Sequence, residues 1–223
     1  MSVSAIPDYE SYDYRTEWSR RTLEDLAEKK LLWSLLPAGG NVLELGGGFG
    51  RLTEGLSQRF TPAVMVDASA RNTRLAHARA PDAEIVRAEL THLPFRGGTF
   101  DNLVMIRVVH HLPRPDLVFG EIRRVARGRG VAVVSVPNWF PFRESPCTNS
   151  VVGKGPQGHS IYAAPLEYYK KALPLREIRG VGLFDNTVGK VMRRVSRLHL
   201  LDVATSRLWR VKKMLFLKFE FVG

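Results

Sequence analysis

The sequence has a single cysteine, Cys147, among 223 residues. An intramolecular disulfide is therefore excluded, and no CxxC or Cys/His grouping suggests a metal site. No apolar run approaches the length of a membrane span. The opening residues, MSVSAIPDYESYDY, lack the basic n-region and apolar h-region of a secretory signal. A soluble, cytoplasmic protein is the expectation. Internal repeats are missing as well. What is present, 44% hydrophobic and 25% charged residues, fits one globular α/β domain with a substantial core.

Acidic residues are scarce near the carboxyl end. From Lys170 to Gly223 there are 13 Lys and Arg against 4 Asp and Glu, which carries +9 of the chain's net +11. Such a basic segment suits an anionic partner (nucleic acid, acidic lipid headgroups, an anionic substrate) or is simply a solvated exterior. Within it, Val191, Val195 and Leu198 fall at i, i+4 and i+7, with Lys190, Arg193, Arg194 and Arg197 on the other side. A basic amphipathic helix of that kind can rest peripherally on an anionic membrane, or pack its apolar stripe on the domain.

The organising stretch is Asn41 to Thr53, NVLELGGGFGRLT. Val42, Leu43 and Leu45 read as a strand, Gly46, Gly47 and Gly48 as a turn, and the residues after Phe49 and Gly50 as a helix start. Strand, glycine turn and helix form a unit in which missing Cβ atoms let a ligand lie against backbone. The dinucleotide spacing G-x-G-x-x-G is not met. The pattern is instead Glu44-x-Gly46-x-Gly48-x-Gly50. A pyrophosphate wants amide donors and a helix N-terminus. A carboxylate in the strand end opposes such a dianion and suits a ligand bearing a cation or an amine.

With that acidic first motif, the sequence resembles the class I S-adenosylmethionine-dependent methyltransferases, whose motif has the form [ED]-x-G-x-G-x-G. The ligand this implies, S-adenosyl-L-methionine, carries a sulfonium and an ammonium. Further motifs extend the resemblance from about Val42 to Val136. A second strand, Ala63 to Val66, ends in Asp67, 17 residues after Gly50. A carboxylate at that strand tip can accept from ribose hydroxyls, while Asp67 or Ser69 could equally cap the next helix. The run Glu89-Leu90-Thr91-His92-Leu93-Pro94-Phe95 resembles the family's acidic-x-x-x-Leu-Pro-Phe stretch, where the acid meets the adenine amine and the following amide meets the ring. Glu44, Gly46, Gly47, Gly48, Gly50, Asp67, Ala68, Glu89, Leu90 and Arg107 are the implied cofactor residues.

The pattern Phe100-Asp101, strand, then His110-His111-Leu112 resembles the ubiquinone/menaquinone-type and related small-molecule members. Asp101 is expected to brace the sheet. Arg107 falls where cofactor and substrate pockets meet, and either binds an anionic group or turns away to pair with an acid. Gly128-Arg129-Gly130 is expected to be a turn before strand five, Val131 to Val136. Pro137-Asn138-Trp139-Phe140-Pro141-Phe142 is not the Asn-Pro-Pro-Tyr or Asp-Pro-Pro-Tyr motif of amino-directed nucleic-acid methyltransferases, which weakens that reading.

The expected fold is α/β: a Rossmann-like, doubly wound, seven-stranded, mostly parallel sheet with an antiparallel last strand and helices on both faces. Residues 1–40 would form a lid, with a helix from about Thr16 toward Pro37 and a stripe of Leu23, Leu26, Leu31, Leu35 and Leu36. Residues 41–136 would form the cofactor core, 137–164 a loop-like substrate cap, and 165–223 a basic carboxyl part. Leu215 to Val222 alternates like a half-buried strand, the antiparallel one set between strands five and six. Trp18, Arg107, Trp139 and Tyr162 are the expected substrate-pocket residues, with Arg20 and Arg21 also in reach of the cofactor. His110, His111 and His159 are candidate bases, since histidine titrates near neutrality. The expected reaction is methyl transfer to an oxygen or carbon of a small molecule such as a lipid or quinone-like amphiphile. The alternatives are an RNA or protein acceptor, or a non-catalytic cofactor binder.

Overall fold

The computed structural model describes residues 14–138, 149–155, 160–182, 198–208, 210 and 212–222. Trp139, His159 and the segment 183–197, with most of the expected amphipathic helix, lie outside the described residues.

Seven strands make one sheet: β1 (Val42–Leu45), β2 (Ala63–Asp67), β3 (Glu84–Arg87), β4 (Phe100–Met105), β5 (Ala126–Pro137), β8 (Leu175–Val181) and β9 (Met214–Glu220). Their order is β3-β2-β1-β4-β5-β9-β8. The pairs from β3 through β5 are parallel, and β9 runs antiparallel to both β5 and β8. The strand order reverses between β1 and β4, so the turn after β1 lies at the switch point where open α/β sheets bind ligands.

Both faces are covered, which is why the central strands are largely apolar on both sides, as in Leu103 to Met105 and Val131 to Val134. Side-chain alternation divides the core in two. Leu43, Leu45, Leu103, Met105, Val134 and Leu217 face one layer, against Val118, Phe119, Ile122 and Val125 of α5 (Pro115–Val125). Val42, Val104, Val133 and Phe216 face the other, against Leu31, Leu32 and Leu35 of α2 (Thr22–Leu35) and Leu56 of α3 (Thr53–Ser57). At the strands' entry edge Asp101 braces the sheet as expected. Its carboxylate accepts from the Asn41 amide at 3.2 Å and from Arg127 Nη1 at 2.6 Å.

Four local expectations are corrected. The leading helix is two, α1 (Tyr14–Trp18) and α2, and Leu26 is 40% exposed because the buried face of α2 runs through Ala27, Glu28, Leu31, Leu32 and Leu35. Gly128-Arg129-Gly130 is not a turn between elements but a bulge inside β5, where the register on β4 shifts between Phe100 and Asn102. A side chain at Gly130 would stand 2.9 Å from the Arg127 carbonyl. The cap region is not all loop: β6 (Ser150–Lys154) and β7 (Ser160–Ala163) form an antiparallel ribbon, with its own bulge between Val151 and Gly153. Finally, β9 is buried on both faces from Met214 to Leu217 rather than on one.

Among the described residues no helix is long and apolar enough to cross a membrane. The helix α6 (Leu198–Ala204) is tied to the sheet by a buried ion pair. Lys212 Nζ donates to Asp202 Oδ1 at 2.6 Å and to Thr205 Oγ1 at 2.8 Å, while Asp202 Oδ2 accepts from the Gly182 amide at 2.8 Å. Removing one partner of a buried pair strands the other. Asp202→Ala is expected to lower the unfolding free energy by about 3–5 kcal/mol in urea titrations.

Candidate functional site

The glycine turn does two different jobs. Gly46, Gly48 and Gly50 have φ of +70°, +58° and +81°, a left-handed backbone that side-chain-bearing residues rarely adopt. Gly46 is also packed shut, since a Cβ there would lie 2.6 Å from Val108 Cγ2. At Gly47 it would meet Met65 Cγ at 2.4 Å, and at Gly50 the Ala76 backbone at 3.0 Å. Gly48 alone of the four has nothing within 4 Å of that position. Bare backbone at the switch point thus has room beside it for a ligand.

The three expected carboxylates come to the carboxyl ends of β1, β2 and β3, which register side by side. They differ in environment. Asp67 is oriented by the turn itself: its Oδ2 accepts from the Gly48 amide at 2.9 Å and its Oδ1 from the Ser69 amide at 3.0 Å. Ser69 takes the helix-capping role, accepting from the Asn72 amide at the start of α4 (Ala70–Arg79). The Ala68 carbonyl accepts from Arg87 Nε at 3.0 Å, which ties the ends of β2 and β3. Glu89 is exposed beyond β3, on a segment whose Leu90 packs on the core. That segment is anchored where the Leu93 amide donates to Glu121 at 2.7 Å and Arg124 donates to the Leu93 and Phe95 carbonyls.

Glu44 is buried. Two residues on from Val42, it shares the face of α2 and α3, where Thr53 Oγ1 donates to it at 2.6 Å. Burial pushes its carboxyl up to about 7, against the opposing pull of the Thr53 hydroxyl and of Arg51, with Asp67 adding a smaller push upward.

Arg107 takes the second of its two expected courses. Strand alternation would send it with Leu103 and Met105, away from α2. Its φ of 64°, the positive value at a non-glycine position among the described residues, swings the chain the other way. Its amide donates to Ser135 Oγ at 2.7 Å, and its guanidinium pairs with Glu24 and, through Nε at 2.7 Å, with Glu28. Burial works against the Arg107 charge, but Glu28 and Glu24 outweigh it and hold its pKa above the ordinary arginine value. Arg51, directly after the glycine turn, donates to Asp25 at 2.6 Å and Glu28 at 2.9 Å. Trp18 lies under both guanidinium groups, 3.8 Å from Arg51 and 5.5 Å from Arg107. Sequence reading passed over Arg51 and the acidic α2 face, because Glu24, Asp25 and Glu28 look like the solvated side of a helix. Arg21 pairs with Glu17 and stacks on Trp18.

His110 and His111 lie in a 3-10 turn (Val109–His111) following β4, half-buried, with ring centroids 4.0 Å apart. Strand β7, which carries Tyr162, lies against this turn. Asn149 fastens the base of the ribbon by donating to the Pro113 carbonyl at 3.1 Å. Tyr162 is thus brought near the histidine turn, and Trp18 to the glycine turn. Among the described residues no cluster of His, Cys, Asp or Glu could hold a metal ion.

Residues 43–134 match the family model described as a methyltransferase domain. An uncharacterized methyltransferase of Mycobacterium sp. (strain KMS) is 35% identical over 107 residues, 48% of this chain and 42% of that protein. A ubiquinone/menaquinone biosynthesis C-methyltransferase of Hahella chejuensis is 29% identical over 158 residues, 67% of this chain and 57% of that protein. The chain thus spans about half the length of these relatives. The crystal structure of an S-adenosylmethionine-dependent methyltransferase from Mesorhizobium loti superposes with a TM-score of 0.64, covering 89% of this chain and 99% of that one. At 19% identity that likeness speaks for the fold alone.

Gly46 and Gly48 share a left-handed backbone but not their surroundings. Gly46→Ala is expected to cost about 1–3 kcal/mol more than Gly48→Ala in unfolding free energy, the excess being the collision with Val108; equal losses would contradict the packing described. Glu44 yields a pH dependence. Its folded-state pKa lies above the ordinary 4.5, so its stabilising contribution is full below that value and is lost as pH rises through 7. Between about pH 5 and pH 8 wild type should lose roughly 2–3 kcal/mol relative to Glu44→Gln, read from urea midpoints. Open space at Gly48 beside the Asp67 carboxylate, a reversed strand order with one antiparallel strand, and the family match over residues 43–134 together make this chain similar to methyltransferase domains across strands β1 to β5.

Proposed function

We propose that the protein transfers a methyl group from S-adenosyl-L-methionine to an oxygen or carbon atom of a small, partly apolar acceptor, a lipid or quinone-like amphiphile. The observation that carries the cofactor reading is the open space at Gly48 beside an Asp67 carboxylate already turned toward it by the Gly48 amide. The residues fit the group. Asp67 would accept from the ribose hydroxyls, Glu89 and the Leu90 amide would meet the adenine, and the backbone of Gly46 to Gly48 would lie along the amino-acid portion. Acidic neighbours suit a sulfonium and an ammonium, whereas a dinucleotide's phosphates would be repelled.

The bound cofactor supplies an electrophilic methyl group, which passes by in-line displacement to the acceptor and leaves S-adenosylhomocysteine. The chain's own work is chiefly positioning and exclusion of water, for which good orientation is worth roughly 7–11 kcal/mol. An acceptor hydroxyl or carbon acid must also lose a proton. His110 and His111, at the exit of β4 beneath β7, are the described groups suited to take it. The ribbon and Tyr162 would then form one wall of the acceptor site. Support for a quinone-like acceptor comes from the activity for which the Hahella relative is named.

Calorimetric titration with S-adenosylhomocysteine should give saturable binding that Asp67→Ala weakens at least about tenfold, since a hydrogen bond to a charged group is worth about 1.5–3 kcal/mol. No heat with the wild type, or an unchanged affinity in the variant, overturns the cofactor reading. A labelled-methyl transfer screen of cell extract should place the label in the lipid-soluble fraction. Label in RNA or protein overturns the small-molecule acceptor.

A further inference from the structure

From Leu198 to Lys213 the sequence holds one acid, Asp202, against Arg207, Arg210, Lys212 and Lys213. That acid is turned inward. Asp202 is 5% exposed and Lys212 1%, and the two neutralise each other in the buried pair described above. The charge left on the outside is positive, since Arg207, Arg210 and Lys213 are all exposed. Beside them two leucines stand in water. Leu201, on α6, is 50% exposed, and Leu208 is 62% exposed.

This surface stands at the ligand edge of the sheet. Asn138, directly after β5, donates its amide to the Lys213 carbonyl at 2.9 Å and its Nδ2 to the Lys212 carbonyl at 2.7 Å. Pro137 at the end of β5 pairs with Met214 at the start of β9. The exit of β5 and the entry of β9 therefore lie together. They are two strand spacings, roughly 10 Å, along the edge from the exit of β4 and its histidine turn. The backbone is fixed on the other side as well, where the Gly180 amide donates to the Ser206 carbonyl at 2.9 Å and the Gly182 amide to Asp202. A single exposed leucine is ordinary. Two of them, in a stretch with no outward acid and held at this edge, ask for a partner.

The two residue types narrow what that partner is. Leucine gains free energy in hydrocarbon and nothing from a phosphate backbone, while arginine and lysine gain beside anionic headgroups. A nucleic acid would use the cations and leave the leucines wet. An apolar protein face would use the leucines and desolvate the cations. An anionic lipid surface takes both. We propose that Leu201, Leu208, Arg207, Arg210 and Lys213 form a docking surface for an anionic lipid bilayer, which turns the ligand edge toward the headgroups. An amphiphilic acceptor then passes from lipid to the site without crossing bulk water. That route rests on the acceptor reading above; the docking itself does not.

Sedimentation of the full chain with vesicles tests this. The protein should pellet with phosphatidylcholine and phosphatidylglycerol mixed in equal parts, and not with phosphatidylcholine alone. Raising NaCl from about 0.05 M to about 0.5 M should release most of it. Arg207→Glu, which removes one positive charge and adds a negative one, should weaken the partition about tenfold or more. Leu208→Asp should weaken it by a similar factor. Arg59→Glu makes the same change in net charge just after α3, at the strands' entry edge, and should leave binding as in the wild type. All three side chains are exposed, so all three variants are expected to fold. No pelleting with the anionic vesicles, or equal losses from Arg207→Glu and Arg59→Glu, overturns the docking surface. Single-stranded RNA retained in place of vesicles overturns it too, as does a lipid-free dimer that Leu208→Asp splits. Vesicle binding by a protein that binds no S-adenosylhomocysteine leaves the docking standing and removes the cofactor reading instead. Vesicle binding with labelled methyl recovered only in water-soluble products removes the lipid route.

Discussion

The amide of Gly48 donates to Asp67, and the architecture of the ligand edge follows from that one bond. It joins the turn after β1 to the tip of β2, two strands already in register from Val42↔Ala63 to Leu45↔Val66. The turn reaches the carboxylate by running through left-handed backbone at Gly46, Gly48 and Gly50. Gly46, Gly47 and Gly50 spend their missing Cβ atoms on close packing against Val108, Met65 and Ala76. Only at Gly48 does the missing atom leave room. The cradle is thus a remainder: three glycines let the backbone pack tightly enough for the fourth to stand beside the acid with space above it.

Much of this was legible in the sequence, for a physical reason. Parallel strands leave the sheet at one edge, so acids at the ends of successive strands must gather there. Glu44, Asp67 and Glu89 could be placed without coordinates. The order of β9 between β5 and β8 followed from the resemblance, and its residues carried the alternation. The ribbon of β6 and β7 was hidden because a bulge beside Gly153 breaks the period of two, in a stretch rich in glycine and proline. The bulge at Gly128 to Gly130 was mistaken for a turn because both use glycine for the same freedom of backbone. Arg51 was missed because a residue after a glycine turn reads as the first of a helix. The acids of α2 gave no sign of burial, since their partners lie 23 to 83 residues away in the chain.

Arg107 shows how a single backbone angle can redirect a site. Had β4 kept its alternation, a guanidinium would have pointed toward the layer of α5, into an apolar cluster with Phe119 and Ile122. The left-handed step brings it instead to the face of α2, where Glu24 and Glu28 wait. Neither the position nor the residue type foretells that step, because arginine gains nothing intrinsic from positive φ. The gain comes from three segments meeting at once.

The same pairing decides the electrostatic character of the ligand edge. The chain is strongly basic, yet the two arginines at the switch point are matched by three carboxylates of α2, and Glu44 and Asp67 border the turn itself. A ligand arriving there meets acids rather than the chain's net positive charge. In the described part of the basic carboxyl segment, Arg179 pairs with Glu177, Lys212 with Asp202 and Lys218 with Glu220. Beside the glycine turn the Asp67 carboxylate disfavours a polyanion and favours a cationic nucleoside. The charge beside the turn thus argues for the same ligand as the motif in which the glycines and Glu44 occur together.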